Sequence, residues 1–122
     1  MASILSRFSR SFRTRDPSRD AATDTARLAA VRAAIESAIA DARRERDGLE
    51  RRVEEHYTQA AFMLDDAPDY AERSAEEEQG IADAERAAAA AQRRIESIEA
   101  QIGQLTALLQ FLDSQASAAD AA

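Results

Sequence analysis

The stretch "IADAERAAAAAQRRIESIEAQIGQLTALLQFL", residues 81–112, decides the fold of this chain. Apolar residues fill two positions of a seven-residue repeat through five consecutive repeats, a pattern typical of a helix that packs against another helix. The first position holds Ile81, Ala88, Ile95, Ile102 and Leu109, and the second holds Ala84, Ala91, Ile98, Leu105 and Leu112. We therefore predict a long helix over residues 68–114. The small, polar residues 115–122 are predicted to form a disordered tail.

An earlier long helix is predicted over residues 16–66. Asp16 followed by Pro17 is typical of a helix start, because the aspartate side chain accepts hydrogen bonds from free backbone N–H groups and proline tolerates the first turn. Apolar residues then recur three and four positions apart. They are Leu28, Val31, Ile35, Ile39, Ala42, Leu49, Val53, Ala60 and Met63. This spacing again places one apolar stripe along a helix.

Pro68 in the segment "LDDAPDY" separates the two predicted helices, because proline disfavours helix at the residue before it. The sequence predicts a turn at 67–69, and so short a connection makes the helices antiparallel neighbours. A single rod kinked at Pro68 is the alternative. Folding about residue 67 is expected to place Val53 near Ile81, Leu49 near Ala84 or Glu85, and Ile39 near Ile95.

The predicted fold class is all-α, an antiparallel helical hairpin that assembles into a four-helix bundle or larger oligomer. Self-association is expected because the seam between the helices contains small alanines together with Arg46 and His56, so two helices alone bury little apolar surface. The predicted oligomer or partner interface comprises Ile95, Ile98, Ile102, Leu105, Leu108, Leu109, Phe111 and Leu112, with Phe62 and Leu64 near the turn.

Residues 1–15 form a basic segment on an acidic chain. They carry four arginines and no acid, which is a charge of +4. Residues 16–122 hold 12 arginines and 23 acidic residues and so carry −11, which gives the whole chain its net charge of −7. As a helix, the segment would place its apolar residues on one side and most of its arginines on the other. Such basic amphipathic helices lie at anionic membrane surfaces. The predicted membrane-binding residues are Ile4, Leu5, Arg7, Phe8, Arg10, Phe12 and Arg13.

Two alternative roles for residues 1–15 fit the same composition. The segment is also suited to fold back as a third helix over Leu108 and Phe111. Its arginines and serines equally fit a targeting signal. Contact with nucleic acid is not expected, because the acidic remainder of the chain repels it.

The sequence contains no recognisable motif for catalysis or metal binding. It has no cysteine, no lysine and one histidine, which excludes a thiolate site, a P-loop and a zinc site with several histidines. We expect His56 to face Glu77 and Glu78 as a structural ion pair or a mild pH sensor. No enzyme activity, cofactor or metal is predicted. No apolar run approaches the roughly 18 residues that span a bilayer.

The predicted function is that of a non-enzymatic scaffold or adaptor that self-associates and binds an anionic membrane through residues 1–15. All sixteen basic residues are arginine and alanine is abundant, a composition typical of GC-rich bacterial genomes. The predicted location is therefore the bacterial cytoplasm, peripheral to the inner membrane. The alternative is a soluble adaptor or chaperone-like hairpin with one protein partner. In outline it resembles the small antiparallel hairpins of bacterial secretion and flagellar export systems, with which it shares no motif.

Overall fold

Two long helices packed against each other make up the described part of the chain. The computed structural model describes residues 16–66 and 74–121. Helix α1 spans Pro17–Asp66 and helix α2 spans Ala75–Ala121. Because they pack along each other, the predicted hairpin is confirmed and the single kinked rod is wrong. The predicted turn at 67–69 and the basic segment 1–15 lie outside the described residues.

Helix α1 begins where the sequence predicts. The backbone N–H of Ser18 donates to the Asp16 side chain at 3.0 Å, and the N–H of Asp20 donates to the Asp16 carbonyl at 3.0 Å. Asp16 therefore caps the helix and satisfies backbone N–H groups that the first turn leaves without helical partners.

Helix α2 begins at Ala75, seven residues later than predicted. The N–H of Glu77 donates to the Ser74 hydroxyl at 3.1 Å, and the N–H of Glu78 donates to the Ser74 carbonyl at 3.2 Å. Ser74 is thus the cap of α2, and the three glutamates after Ala75 lie at the positive end of the helix dipole. The sequence S-A-E-E at 74–77 has the form of a capping box, which is the local signal for this helix start.

At its other end α2 continues through Ala121, so residues 115–121 are helical instead of forming the predicted disordered tail. All of them are exposed, so packing within the hairpin does not hold them. Alanine has the highest intrinsic helix propensity and accounts for four of these seven residues. Propensity therefore explains the extra turns.

The register between the helices differs from the predicted one. Three contacts define it, and they join Glu45 with Arg94, Met63 with Gly80, and Arg32 with Asp113. The residue numbers of these pairs add up to 139, 143 and 145, whereas folding about residue 67 would give 134. A given residue of α1 therefore lies opposite a residue of α2 about eight positions later than expected, a displacement of ~12 Å along the helix.

The predicted side-chain neighbours change accordingly. Val53 borders a groove with Ile95, whereas Ile81 was the expected neighbour. Leu49 borders a groove with Arg94 instead of Ala84. Ala42, which is close to Ile39, borders a groove with Leu105 instead of Ile95. The physical reason is the length of the connection. Eight residues separate Asp66 from Ala75, not the two or three of a tight turn.

The core is the predicted seam. Its buried members are Ile39, Val53 and Ala60 from α1 and Ile81, Ala84, Ala88, Ile95 and Ile98 from α2. All five α2 residues belong to the seven-residue repeat, and the other repeat positions are half-buried. Residues 17–31 of α1 are all exposed. The seam therefore packs best from the middle of the hairpin to the end where α1 stops, and it opens toward the end where α1 begins.

Candidate interaction surfaces

The hairpin has two ends, which we name for what they contain. The tip is the end where α1 stops and α2 starts, and the open end is where α1 starts and α2 stops. All seven predicted membrane-binding residues lie in residues 1–15, outside the described residues. Since residue 15 precedes the cap Asp16, that segment joins the hairpin at the open end. Within the part of the chain that the structure describes, no helix is long and apolar enough to cross a membrane.

Large apolar side chains are exposed at the open end. Leu108 and Phe111 of α2 are 53% and 61% exposed, and Leu28 and Val31 of α1 are also exposed. Ile102, Leu105, Leu109 and Leu112 are half-buried beside them. Burying such groups is favourable by roughly 25 cal/mol per Å², so this end is a candidate interface.

Two residues of the predicted interface have a different role within the hairpin. Ile95 and Ile98 are 6% and 1% exposed, because α1 covers them. They stabilise the single hairpin and offer no surface to a second molecule. What remains accessible at the open end is the part of the predicted set from residue 102 onward.

The two sides of the hairpin differ in charge. On one, which we call the mixed side, Ala38, Glu45, Arg94 and Gln101 border one groove. On the other, the acidic side, a groove is lined by four glutamates, Glu50, Glu54, Glu96 and Glu99. The groove on the acidic side thus holds four carboxylates and no arginine, whereas the groove on the mixed side holds Arg94 beside Asp41 and Glu45.

The tip exposes apolar groups that do not form one patch. Phe62 is 67% exposed and Leu64 is 41% exposed. Two positions along a helix correspond to a rotation of about 200°, so these two side chains leave α1 in nearly opposite directions. Leu64 shares a side with Tyr57, seven residues earlier, whereas Phe62 borders a shallow groove with Arg51 and Thr58.

A basic band on α1 consists of Arg43, Arg44, Arg46, Arg51 and Arg52, and two of them pair with acidic side chains of the same helix. Arg44 pairs with Asp41, Arg46 lies 3.3 Å from Asp47, and Arg94 of α2 reaches Glu45 at 2.9 Å. These pairs are exposed or half-exposed and each contributes about 0–1 kcal/mol. The interleaving of acids and arginines indicates helix-to-helix pairing and a solvated surface.

His56 does not face the predicted acids. It borders a groove with Met63, Gly80 and Ala87, and Asp83 is the acidic residue of that groove. The shift in register moves Glu77 and Glu78 toward the tip. Among residues 16–66 and 74–121, no group of three or more His, Cys, Asp or Glu side chains is arranged to hold a metal ion.

Asp83 has an altered acidity. The Gln79 amide donates to its carboxylate at 3.0 Å, and Arg86 forms an ion pair with it. The hydrogen bond from Gln79, followed by that from Arg86, lowers the pKa of Asp83 below its ordinary value of 3.8. Both donors lie on α2, so this cluster stabilises the first turns of that helix and is not a catalytic arrangement.

No protein-family model, curated protein or solved structure matches this chain.

The two-sided charge distribution was not predicted from the sequence. The signal is present at a spacing of seven, since Glu50, Tyr57 and Leu64 follow one line on α1 and Val31, Ala38, Glu45 and Arg52 follow another. The register decides which line of α1 shares a side with which line of α2, and the sequence alone does not specify the register.

Proposed function

We propose that this chain is a non-enzymatic scaffold that attaches to an anionic membrane surface through residues 1–15 and self-associates through its hairpin. The observation that carries the proposal is the position of the basic segment. It joins a long, acidic hairpin at the cap Asp16, at the end where apolar side chains are exposed.

The charges favour attachment through the segment alone. Each arginine near an anionic surface contributes roughly 1 kcal/mol, and the segment holds four. Residues 16–122 carry −11 and are repelled by the same surface. The hairpin is therefore expected to extend away from the membrane, with its tip accessible to partners.

Self-association strengthens the attachment. A single segment binds reversibly, because ordering it on the surface costs conformational entropy. Two or more segments in one assembly bind as a unit, which raises the overall affinity without any new contact. A protein of this kind has no need of a catalytic site.

Co-sedimentation of the full chain with liposomes tests the membrane part of the proposal. We expect binding to vesicles that contain anionic lipid, little binding to neutral vesicles, and weaker binding as salt is raised. Replacing Phe8 and Phe12 by serine should release the protein. The matched control replaces the exposed tip residues Phe62 and Leu64 by serine and should bind as the parent does.

The exposure of Phe62 favours a second function, that of an adaptor that binds one protein partner through its tip. In that case the parent and both variants stay in the supernatant with every vesicle, because the vesicles carry no protein partner. Failure of the unaltered protein to bind anionic vesicles contradicts the membrane proposal outright.

A further inference from the structure

We propose that a groove in the middle of the hairpin binds the phosphate group of a soluble ligand. We call it the arginine groove, and it is bordered by Arg44, Glu45, Gly48, Leu49, Arg52 and Arg94. It lies on the mixed side, since Glu45 and Arg94 also border the groove that defines that side. This binding is additional to the membrane attachment and self-association proposed above.

Four arginines surround Gly48. Arg44 and Arg52 lie one helical turn before and after it, on the same face of α1. Arg94 reaches the groove from α2. Arg51 lies over the glycine, because its Nη2 is 3.9 Å from the position that a Cβ would take at residue 48. Both helices therefore contribute to the groove, and the observed register brings their arginines together.

The four guanidinium groups have N–H donors available for an anion. Within the described residues 16–66 and 74–121, no carboxylate lies within ion-pair distance of Arg51 or Arg52. Arg44 and Arg94 each use one nitrogen, Nη2, for hydrogen bonds to an acidic side chain. Each of these two keeps Nε and Nη1 to donate, while its ion pair holds the guanidinium group in position.

The local charge is positive on a strongly negative chain. Four arginines and Glu45 give the arginine groove a charge of +3. Asp41 and Glu55 lie just beyond its two ends, and with both of them included the charge is still +1. The groove of the acidic side holds four carboxylates and no arginine. An anion is therefore attracted to the arginine groove in preference to the opposite side of the hairpin.

Phosphate matches these donors better than a carboxylate does. A phosphate monoester presents three oxygens and carries up to two negative charges, so that several guanidinium forks bind it at once. A carboxylate has two oxygens, and one bidentate arginine satisfies both. An arrangement of four arginines around one point thus favours phosphate.

Gly48 leaves room for the anion at the floor of the groove. Glycine costs ~1 kcal/mol relative to alanine inside a helix. Packing within the hairpin does not require it here, because a Cβ would meet no neighbouring group within 4 Å except the Arg51 side chain. The missing side chain instead opens the space between the arginines.

The position of the groove favours a soluble ligand over a lipid headgroup. Gly48 follows the cap Asp16 by 32 residues of helix, which is ~48 Å. A hairpin that is attached at its open end and extends outward keeps the groove far from the lipid surface. This choice of source rests on the proposed function, whereas the recognition of phosphate does not.

Titration of the full chain with inorganic phosphate, followed by NMR of the backbone amides, tests the site. We expect saturable shifts at residues 44–52 and 94, and none with acetate at the same ionic strength. Replacing Arg51 and Arg52 by glutamine should raise the dissociation constant at least tenfold. The matched control replaces Arg19 and Arg43 by glutamine, which removes the same charge away from the groove, and should bind as the parent does.

A second variant separates a formed site from general attraction of charge. Gly48→Leu keeps every arginine but fills the floor of the groove, and it should also raise the dissociation constant at least tenfold. Circular dichroism should show unchanged helix content in all variants, because the replaced side chains are exposed and leucine favours helix. If Gly48→Leu binds phosphate as the parent does, the proposed site is wrong. Equal shifts with phosphate and acetate, or none with phosphate, overturn it as well.

Vesicles that contain phosphatidic acid, a lipid with a phosphate monoester headgroup, test the source of the phosphate. The Arg51 and Arg52 variant should sediment with them as its control does, because the groove does not reach the lipid. A selective loss of sedimentation in that variant would overturn the soluble source and assign the groove to a headgroup. Failure of the parent to bind any vesicle contradicts the membrane proposal and leaves the phosphate titration to decide the groove.

Discussion

Asp83 accepts hydrogen bonds from Gln79 and Arg86 on its own helix. Since its folded pKa is lowered, Asp83 stabilises the fold above its unfolded pKa, and that contribution is lost as pH falls through the folded pKa. A carboxyl titration by NMR should give a pKa below 3.8 for Asp83. Gln79→Leu should move that pKa upward, because it removes the larger of the two causes. An unchanged pKa in this variant contradicts the assignment.

Gly103 lies inside α2 with open space around it. A methyl group there would meet no atom within 4 Å. Because glycine costs ~1 kcal/mol relative to alanine within a helix, Gly103→Ala should raise the free energy of unfolding by about that amount.

Urea denaturation followed by circular dichroism measures this effect. The reverse change at an exposed position of the same helix, Ala107→Gly, should lower the free energy of unfolding by a similar amount. Destabilisation by Gly103→Ala would mean that another helix approaches this position closely.

At the scale of the element, the start of α2 depends on Ser74. Ser74→Ala removes the hydroxyl that accepts from Glu77 and should cost ~1 kcal/mol of stability. Hydrogen exchange at the amides of residues 76–79 should accelerate first, because the first turn frays when its cap is lost. Ser97→Ala, in the exposed middle of α2, is the control and should not destabilise the protein. Equal effects from both variants would show that Ser74 is not the cap.

For the whole molecule, the register is the property to test. Glu45 and Arg94 form a half-exposed ion pair between the helices. A double-mutant cycle with alanine at both positions should give a coupling of about 0.2–1 kcal/mol. In the register expected from a tight turn, Glu45 would lie opposite residue 89, close to Arg86. A coupling of Glu45 with Arg86, and none with Arg94, would therefore contradict the structure.

The sequence by itself determined the two helices, the cap at Asp16, the antiparallel hairpin and the seam, because each follows from local spacing or local hydrogen bonding. The buried Ile81, Ala88 and Ile95 lie at predicted repeat positions. The exposure of Leu108 and Phe111 also follows from the sequence, since they lie off the repeat of α2. Phe62 is exposed for the same reason, since it lies off the apolar stripe of α1.

Only the tertiary structure decided the register and, with it, the two sides of the hairpin. A seven-residue repeat specifies which stripe of a helix meets its partner, but a slide of about seven residues presents nearly the same stripe again. The repeat therefore hardly distinguishes one register from the next. Two features define the observed register. They are the start of α2 after Ser74 and the contact between Glu45 and Arg94. The neighbours of His56 and the composition of the mixed side depend on it, because they join residues that only the register brings together.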